Sequence, residues 1–299
     1  MTNHFFIRQN DQVVLKCLVA QRKLYSRAKR WGYIPKVTVV LLVLIALVWQ
    51  SNNSTAASWL LAIVSFIAWI IAFAGEMYID VLRHKAARMQ QFIDKEIFKE
   101  AFSAEELSSW RDTPLASEIS EEMSGVEDSD VDKENVRNWY PDYSFLSPQK
   151  AVFFCQKENL RWDRKLRVSM MIVGLIFLFG FMGLLLLRVW NMKVCNALPT
   201  LMAGAGIFSV SVNVLVGLVF DCVRLTKINE IAAIVEKNLQ GGLSIAGLLI
   251  DMQNKIYENR CKVVLVPDFF YKILRKRQQK SEDAITKFHI EVENRSEMC

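Results

Sequence analysis

The sequence predicts an all-α membrane protein in which four transmembrane helices form two hairpins and carry helical extensions into the cytoplasm. The 299 residues are 52% hydrophobic and yet 23% charged, with a formal net charge of +6. A chain combines such values when apolar and charged residues occupy separate stretches of the sequence. Four stretches lack charge for longer than an ordinary core helix requires, and this excludes a soluble globular enzyme.

Three of the four stretches are long enough to cross a bilayer. A helix that rises about 1.5 Å per residue needs roughly 20 apolar residues to cross a hydrocarbon core about 30 Å thick. The uncharged stretches of this length cover residues 56–75, 168–187 and 194–220. The fourth stretch, 37–50, is shorter. It spans the bilayer if Trp31 and Tyr33 lie at the headgroups and Lys36 snorkels to them.

Short connections pair the four spans into two hairpins, and the flanking charges predict their orientation. The hairpins cover residues 34–80 and 167–221. Basic residues concentrate on the cytoplasmic side of transmembrane helices. Sixteen of them flank the open ends of the hairpins, whereas the connections carry only Arg188 and Lys193. We therefore expect both termini and the middle of the chain to lie in the cytoplasm.

Five cytoplasmic parts surround the hairpins. They are a basic N-terminal helix at 1–33, a helical extension at 81–115, an acidic linker at 116–138, a helix before the third span at 139–166, and a helical region with a charged tail at 222–299. Apolar residues at helical spacing, from Leu82 to Ile97, predict that the second span continues as a helix. Within 116–134, eight acidic residues oppose Lys133 alone, so we expect the linker to be solvated and disordered. Residues 263–266 are a short extended run that Pro267 ends.

No sequence motif supports catalysis or metal binding. The three histidines, His4, His84 and His289, are far apart and have no metal-ligand spacing. The chain also lacks a phosphate-binding GxxxxGK[ST] loop and a GxSxG nucleophile elbow. We therefore expect a protein that is not an enzyme, has no cofactor or metal, and does not bind DNA.

Two spans carry small and polar residues at helical spacing. In the fourth span they recur every four positions from Ala205 to Asp221, and the second span has a similar series from Ser58 to Asp80. Such stripes usually pack one helix against another, and on spacing alone this interpretation is favoured. The alternative is that several copies of the chain line a water-filled path with these residues. The candidate pore-lining residues are Ser65, Glu76, Asp80, Ser209, Asn213 and Asp221, with Asn213 and Asp221 the first choices.

Basic and aromatic residues lie together on the cytoplasmic side of the spans. The positive-inside rule and headgroup contacts explain those near the first and third spans adequately. They explain Arg260 and Arg275 less well, because these residues lie well past the fourth span. Arginine forks and aromatic faces suit a ligand that carries phosphates and bases. The candidate ligand-binding residues are Arg22, Tyr25, Arg161, Trp162, Arg164, Tyr257, Arg260, Tyr271 and Arg275.

Three elements of the sequence resemble one known family. They are RQN at 8–10 with AQRKLYSRAK at 20–29, WY at 139–140 with CQKENLRWDRKLR at 155–167, and IYENR at 256–260 with VPDFFY at 266–271 and Arg275. In order and spacing they resemble the SMODS-associated four-transmembrane pore-forming effectors over nearly the whole chain. No single motif is specific, so the resemblance depends on their arrangement.

The resemblance implies an effector of a cyclic-nucleotide antiphage system in the bacterial inner membrane. A partner nucleotidyltransferase would make a cyclic di- or oligonucleotide on infection, and a homo-oligomer of the effector would bind it and permeabilise the lipid bilayer. The alternative is a non-conducting membrane receptor or scaffold that recruits a partner through its cytoplasmic regions. A transporter is a third option, weakened by the lack of charged groups near the span centres.

Overall fold

The computed structural model describes residues 4–49, 55–111, 114–190, 194–271 and 273. The described part contains α-helices and no β-strand. The helices are α1 (Phe5–Arg8), α2 (Gln12–Trp49), α3 (Thr55–Phe98), α4 (Ala104–Ser108), α5 (Ala116–Ser124), α6 (Asp128–Glu134), α7 (Pro148–Val189), α8 (Val194–Gln240) and α9 (Ala246–Lys262). The all-α prediction is thus confirmed for the described residues.

The four long helices pack as two pairs, α2 against α3 and α7 against α8. Trp31 of α2 and Tyr78 of α3 are exposed and meet edge to face, with ring centres 5.6 Å apart. Exposed aromatic side chains of this kind favour the headgroup region of a membrane. The pair therefore lies where the sequence predicts the first hairpin to meet the cytoplasmic headgroups.

Two described helices are long and apolar enough to cross a membrane. They are α7, whose most apolar window has a mean hydropathy of 2.7, and the part of α8 at Ile207–Gln240, with 1.8. Only 6% and 22% of these windows are buried, whereas a core helix of a soluble protein buries most of its apolar surface. The four-span arrangement stays a prediction, because the side chains of residues 55–69 lie outside the described part.

One apolar core joins the parts of the long helices outside the predicted spans to α9. Leu15 of α2, Phe98 of α3, Phe153 of α7, Leu225 of α8 and Leu249 of α9 belong to it, and each is almost fully buried. The helix α3 continues to Phe98, as the apolar stripe beyond the second span predicts. The long helices therefore extend from the predicted spans into one folded body.

The segment expected to be a disordered linker is folded, so this prediction is wrong. It forms α5 and α6 and buries Ile119, Val131 and Val136 against the core. Its carboxylates pair with basic side chains of α2 and α3. These ion pairs are Lys16–Asp128 at 3.0 Å, Lys23–Asp130 at 2.7 Å, Arg88–Glu118 at 3.0 Å and Lys85–Glu122 at 3.3 Å. Composition predicted disorder because the neutralising charges lie far away in sequence.

The end of α8 is built by a glycine pair. Gly242 has φ +67°, a left-handed conformation that costs glycine little because it has no Cβ. Leu243 N–H then donates to Asn238 O at 3.0 Å, which satisfies a carbonyl at the helix end. The chain turns back into α9, and after Lys262 it runs extended through residues 263–267, which we call the strap.

Candidate ligand cavity

A cavity of about 1440 Å³ lies between α2, α7, α9, the loop that follows α6, and the strap. Five of the predicted ligand-binding residues line it: Arg22, Tyr25, Trp162, Arg260 and Tyr271. They come from α2, α7, α9 and the helical turn after the strap. The structure thus brings residues from all three motif regions of the sequence to one cavity.

The other predicted ligand-binding residues do not line the cavity. Along α7 the lining residues include Asn159, Trp162 and Asp163. Arg161 and Arg164 lie on other faces of α7, because successive residues are about 100° apart around a helix. Tyr257 is buried in a small cluster with Ala87 and Cys261. Arg275 lies outside the described residues.

Aromatic rings and cations meet at two places in the cavity lining. The guanidinium of Arg22 lies over the ring of Trp139, 5.4 Å from its centre. Trp162 stacks on Tyr271 with ring centres 5.6 Å apart and planes at 30°. Cation–π and stacking contacts of this geometry hold the rings in place. Each site presents an aromatic surface on which a nucleobase could stack.

The N-terminal RQN motif fixes the loop that forms one wall of the cavity. Gln9 Nε2 donates to Tyr140 O at 3.1 Å, and Tyr140 N–H donates to Gln9 Oε1 at 2.7 Å. Asn10 Nδ2 likewise donates to Asn138 Oδ1 at 2.9 Å, and Asn138 N–H donates to Asn10 Oδ1 at 3.1 Å. Asn138 has φ 53°, a conformation that asparagine adopts more readily than most residues. The two motif regions therefore form one structural unit.

The strap is bonded to three long helices through its backbone. Val264 N–H donates to Asp221 Oδ2 of α8 at 2.9 Å. Leu265 O accepts from the Tyr33 hydroxyl of α2 at 3.3 Å, and Val263 O accepts from Arg83 Nη1 of α3 at 3.4 Å. Residues 263–266 also line the cavity. The strap therefore contacts both the cavity and the parts of the long helices next to the predicted spans.

The motif regions that meet around the cavity are those on which the family resemblance rests. The SMODS-associating 4TM effector domain matches residues 3–288. The chain belongs to this effector family. The match covers nearly the whole chain and confirms the resemblance, and it makes the protein a transmembrane effector associated with SMODS. No curated protein and no solved structure matches the chain.

Arg260 of the effector has a protein partner, although the sequence suggested that it needs a ligand. Its Nη1 donates to Asp94 Oδ2 at 2.6 Å, and both side chains are buried. The Asp94 carboxylate also accepts from Tyr140 Oη at 3.2 Å and from Gln253 Nε2 at 2.9 Å. Burial opposes the charge of Arg260, but the contacts of its guanidinium, chiefly those with Asp94, together outweigh burial and raise the pKa of Arg260. Arg260 thus holds α9 to α3 from within the cavity wall.

Tyr25 and Tyr140 are neutral hydrogen-bonding groups of the effector cavity. Burial raises the pKa of the Tyr25 phenol, and Arg260 only partly opposes this. Burial also raises the pKa of Tyr140, with Asp94 adding to the effect. Because a charged phenolate is disfavoured at both positions, these side chains act as hydrogen-bond donors or acceptors rather than as bases.

Asp221 of the effector does not line an open path in this conformation, which corrects its predicted place. Its side chain is fully buried and pairs with Arg224, Arg167 and Val264 N–H. Ser209 and Asn213 are exposed. Four residues advance a helix by about 40° more than one turn, so a stripe with steps of four drifts around it. The predicted stripe therefore turns from the surface at Asn213 to the interior at Asp221.

The remaining candidate pore-lining residues have no common setting in the described chain. Glu76 and Asp80 are exposed on α3, and Asp80 Oδ1 accepts from Arg83 Nη2 at 2.6 Å. Ser65 lies in α3, and its side chain is outside the described part. The lining of a path by Ser65, Glu76, Asp80, Ser209 and Asn213 stays a prediction.

Several residues that support or line the effector cavity were not predicted. Asp94 and Gln253 are buried polar residues behind the lining, where Asp94 binds Arg260, and Trp139 provides an aromatic face of the lining. Asp94 directly follows Ile93 of the predicted apolar stripe, and this position was the feature of the sequence that could have identified Asp94 as a buried carboxylate. A carboxylate beside a core stripe needs a partner inside the protein, but the sequence does not identify that partner as Arg260.

Proposed function

We propose that this effector binds a cyclic di- or oligonucleotide in the cavity and responds by permeabilising the bacterial inner membrane as a homo-oligomer, without catalysing a reaction. The ligand would come from a nucleotidyltransferase that works in the same antiphage system. The observation that carries the proposal is the convergence of Arg22, Tyr25, Trp162, Arg260 and Tyr271 on one cavity, in a chain of this family.

The size and lining of the cavity support a nucleotide ligand. Its volume of about 1440 Å³ exceeds the roughly 300–1,000 Å³ of pockets for drug-sized molecules. The lining includes the cations Arg22, Lys29 and Arg137 and the ring faces of Trp139 and Trp162. Guanidinium groups suit phosphates and aromatic faces suit bases.

The position of the cavity supports a response at the membrane. Arg22 and Tyr25 lie on α2, which continues into the predicted first span. Trp162 lies on α7, which continues into the predicted third span. A ligand between these residues would contact one helix of each hairpin, so binding would favour one arrangement of the hairpins over another. Exposed Glu76, Ser209 and Asn213 would then line the path between copies.

Release of a dye from liposomes tests the proposal. Purified effector in dye-loaded liposomes is exposed to cyclic di-AMP, cyclic di-GMP and cyclic tri-AMP. We expect one of these to bind and to release dye. Trp162→Ala and Tyr271→Ala should lose both effects, whereas Phe145→Ala, which removes a partly exposed ring outside the cavity, should retain them.

Two outcomes would contradict the proposal in different ways. Binding that depends on Trp162 but releases no dye would favour a non-conducting receptor or scaffold. Dye release that is unchanged by Trp162→Ala and Tyr271→Ala would place the sensor outside the cavity.

A further inference from the structure

Arg167 has hydrogen-bonding capacity that the protein does not use. It lies in the cavity lining and is 4% exposed. Its Nη2 donates to Asp163 Oδ1 at 3.2 Å, and its Nε lies 3.2 Å from Asp221 Oδ2 but is not aligned for a hydrogen bond. Within the described part of the chain, Nη1 has no hydrogen-bond partner. Buried donors are rarely left unpaired, because the desolvation cost is then not recovered.

The carboxylates beside Arg167 are shared with other donors. Asp221 also accepts from Arg224, and Asp163 Oδ2 accepts from Asn259 Nδ2 at 3.4 Å. Two carboxylates thus face the two guanidinium groups of Arg167 and Arg224, and the group is balanced in charge. Because Arg224 supplies a second positive charge next to Asp221, the two carboxylates would not strongly repel a phosphate that binds at Arg167.

The other cations of the lining also have protein partners. Arg260 is buried against Asp94. Lys29 pairs with Asp268, and Arg22 Nη1 donates to Glu134 O, although Arg22 Nη2 is also without a partner among the described residues. Over the whole lining, six cationic side chains stand against four carboxylates: Arg22, Lys29, Lys133, Arg137, Arg167 and Arg260 against Glu134, Glu158, Asp163 and Asp268. Asp94 and Asp221 add two carboxylates behind the lining, so the feature that favours an anion at Arg167 is its unpaired, almost fully buried donor and not the net charge.

We propose that Arg167 is the residue that binds a phosphate group of the cavity ligand. The proposal rests on the proposed function for the identity of the ligand as a nucleotide, but a bare phosphate group presents the same chemistry. A guanidinium carries five N–H donors in a planar fork that matches two phosphate oxygens. Nη1 of Arg167 supplies the unused donors, and Nη2 lies beside it on the same edge of the planar guanidinium, so a phosphate at this edge meets two donor groups.

Binding measurements on Arg167→Gln test this assignment. The probes are the three cyclic nucleotides named above and inorganic pyrophosphate, titrated onto the full-length protein in detergent. We expect Arg167→Gln to weaken binding roughly tenfold or more, as for the loss of a charge-assisted hydrogen bond. Arg164→Gln is the matched control, because Arg164 is an exposed arginine one turn away that does not line the cavity. It should bind like the wild type.

A second variant and a folding measurement keep the test decisive. Arg167→Lys retains the charge beside Asp221 but lacks the fork, so its binding should be intermediate. The Val264 amide donates a hydrogen bond to Asp221. Slow hydrogen exchange at this amide would show that the fold around the site is retained. If Arg167→Gln does not fold, Arg167→Lys decides between the outcomes.

Unchanged binding in Arg167→Gln or Arg167→Lys with a protected Val264 amide would overturn the assignment. Equal losses in Arg164→Gln would overturn it too, because the effect would then be general electrostatics. If the wild type binds pyrophosphate through Arg167 but binds no cyclic nucleotide and releases no dye, the phosphate site stands and the proposed function fails. If the wild type binds neither pyrophosphate nor nucleotide, both fail.

Discussion

Gln9 and Tyr140 are joined by two reciprocal hydrogen bonds between a side-chain amide and the peptide backbone, at 3.1 and 2.7 Å. Both residues are buried. The amide of Gln9 satisfies the backbone of Tyr140 as a neighbouring strand would, although the described residues contain no strand. A residue near the N-terminus thus fixes the loop that forms a wall of the cavity.

Gln9→Ala should destabilise the protein by about 1–3 kcal/mol, because it leaves the N–H and the C=O of Tyr140 buried and unpaired. Chemical unfolding in detergent measures this change. Gln12→Ala is the control: the side chain of Gln12 donates to exposed Asp128, so its loss should cost at most about 0.5 kcal/mol. Equal losses of unfolding free energy in Gln9→Ala and Gln12→Ala would show that the reciprocal bonds contribute no more to stability than an exposed hydrogen bond.

Asp94→Asn should destabilise the protein by about 3–5 kcal/mol, because it leaves the charge of Arg260 buried without its partner. Arg260→Gln alone should also be strongly destabilising, so its loss of activity would not identify a ligand contact. The double variant Asp94→Leu/Arg260→Met removes both charges and should recover most of the stability. A double variant no more stable than Asp94→Asn would contradict the ion-pair explanation.

Gly217→Ala should displace the strap. A Cβ at Gly217 would lie 2.7 Å from Val264 Cγ2, which is closer than carbon atoms approach. Hydrogen exchange at the amides of residues 263–266 should therefore rise, and Val264→Ala in the same chain should restore the slow exchange. Gly180→Ala is the control, since a Cβ there meets nothing within 4 Å; it should leave the strap unchanged. If Gly217→Ala leaves hydrogen exchange in the strap unchanged, the close approach of Gly217 to Val264 does not limit the residue type at position 217.

Acid should release α6 from α2. The hydrogen bond and charge of Lys16 lower the pKa of Asp128, and those of Lys23 lower the pKa of Asp130, from the ordinary value of 3.8. A lowered folded-state pKa gives stability that is present above 3.8 and is lost as the pH falls through the folded value. Exchange of the α6 amides should therefore rise only below about pH 4. A rise already near pH 6 would implicate other groups.

Cys17 reports on the packing of the acidic segment, α5 and α6, against α2. Burial raises the pKa of its thiol to about 12, so the reactive thiolate is scarce at neutral pH. Its Sγ lies 3.4 Å from Met123 Sδ of α5. Site-resolved labelling with a maleimide at pH 7.5 should be slow in the wild type. It should accelerate in Asp128→Asn/Asp130→Asn, which weakens the hold of α2 on the acidic segment, but not in Asp142→Asn, which alters an aspartate outside that segment. Fast labelling of the wild type would show that α5 does not cover Cys17.

Local patterns in the sequence were enough to predict the long helices and some of the residues that line the cavity. The apolar stripe from Leu82 to Ile97 predicted the extension of α3, and the residue types of Arg22 and Trp162 pointed to the cavity. Contacts between distant residues were not predictable. Arg260 appeared to lack a partner because Asp94 is far away in sequence, and the acidic segment appeared unfolded because the basic residues that neutralise it lie on α2 and α3. Asp221 was misplaced because a four-residue repeat is longer than a helical turn.

The strap is bonded to the long helices through its peptide groups, at Val263 O, Val264 N–H and Leu265 O. Every residue type except proline offers the same N–H and C=O groups. These bonds do not depend on the strap side chains, although the burial of Val263 and Val266 and the limited space beside Gly217 at Val264 restrict which residues fit there. Related effectors that keep apolar residues of similar size at these positions could thus keep the backbone connection between the cavity and the long helices while the sequence of the strap changes.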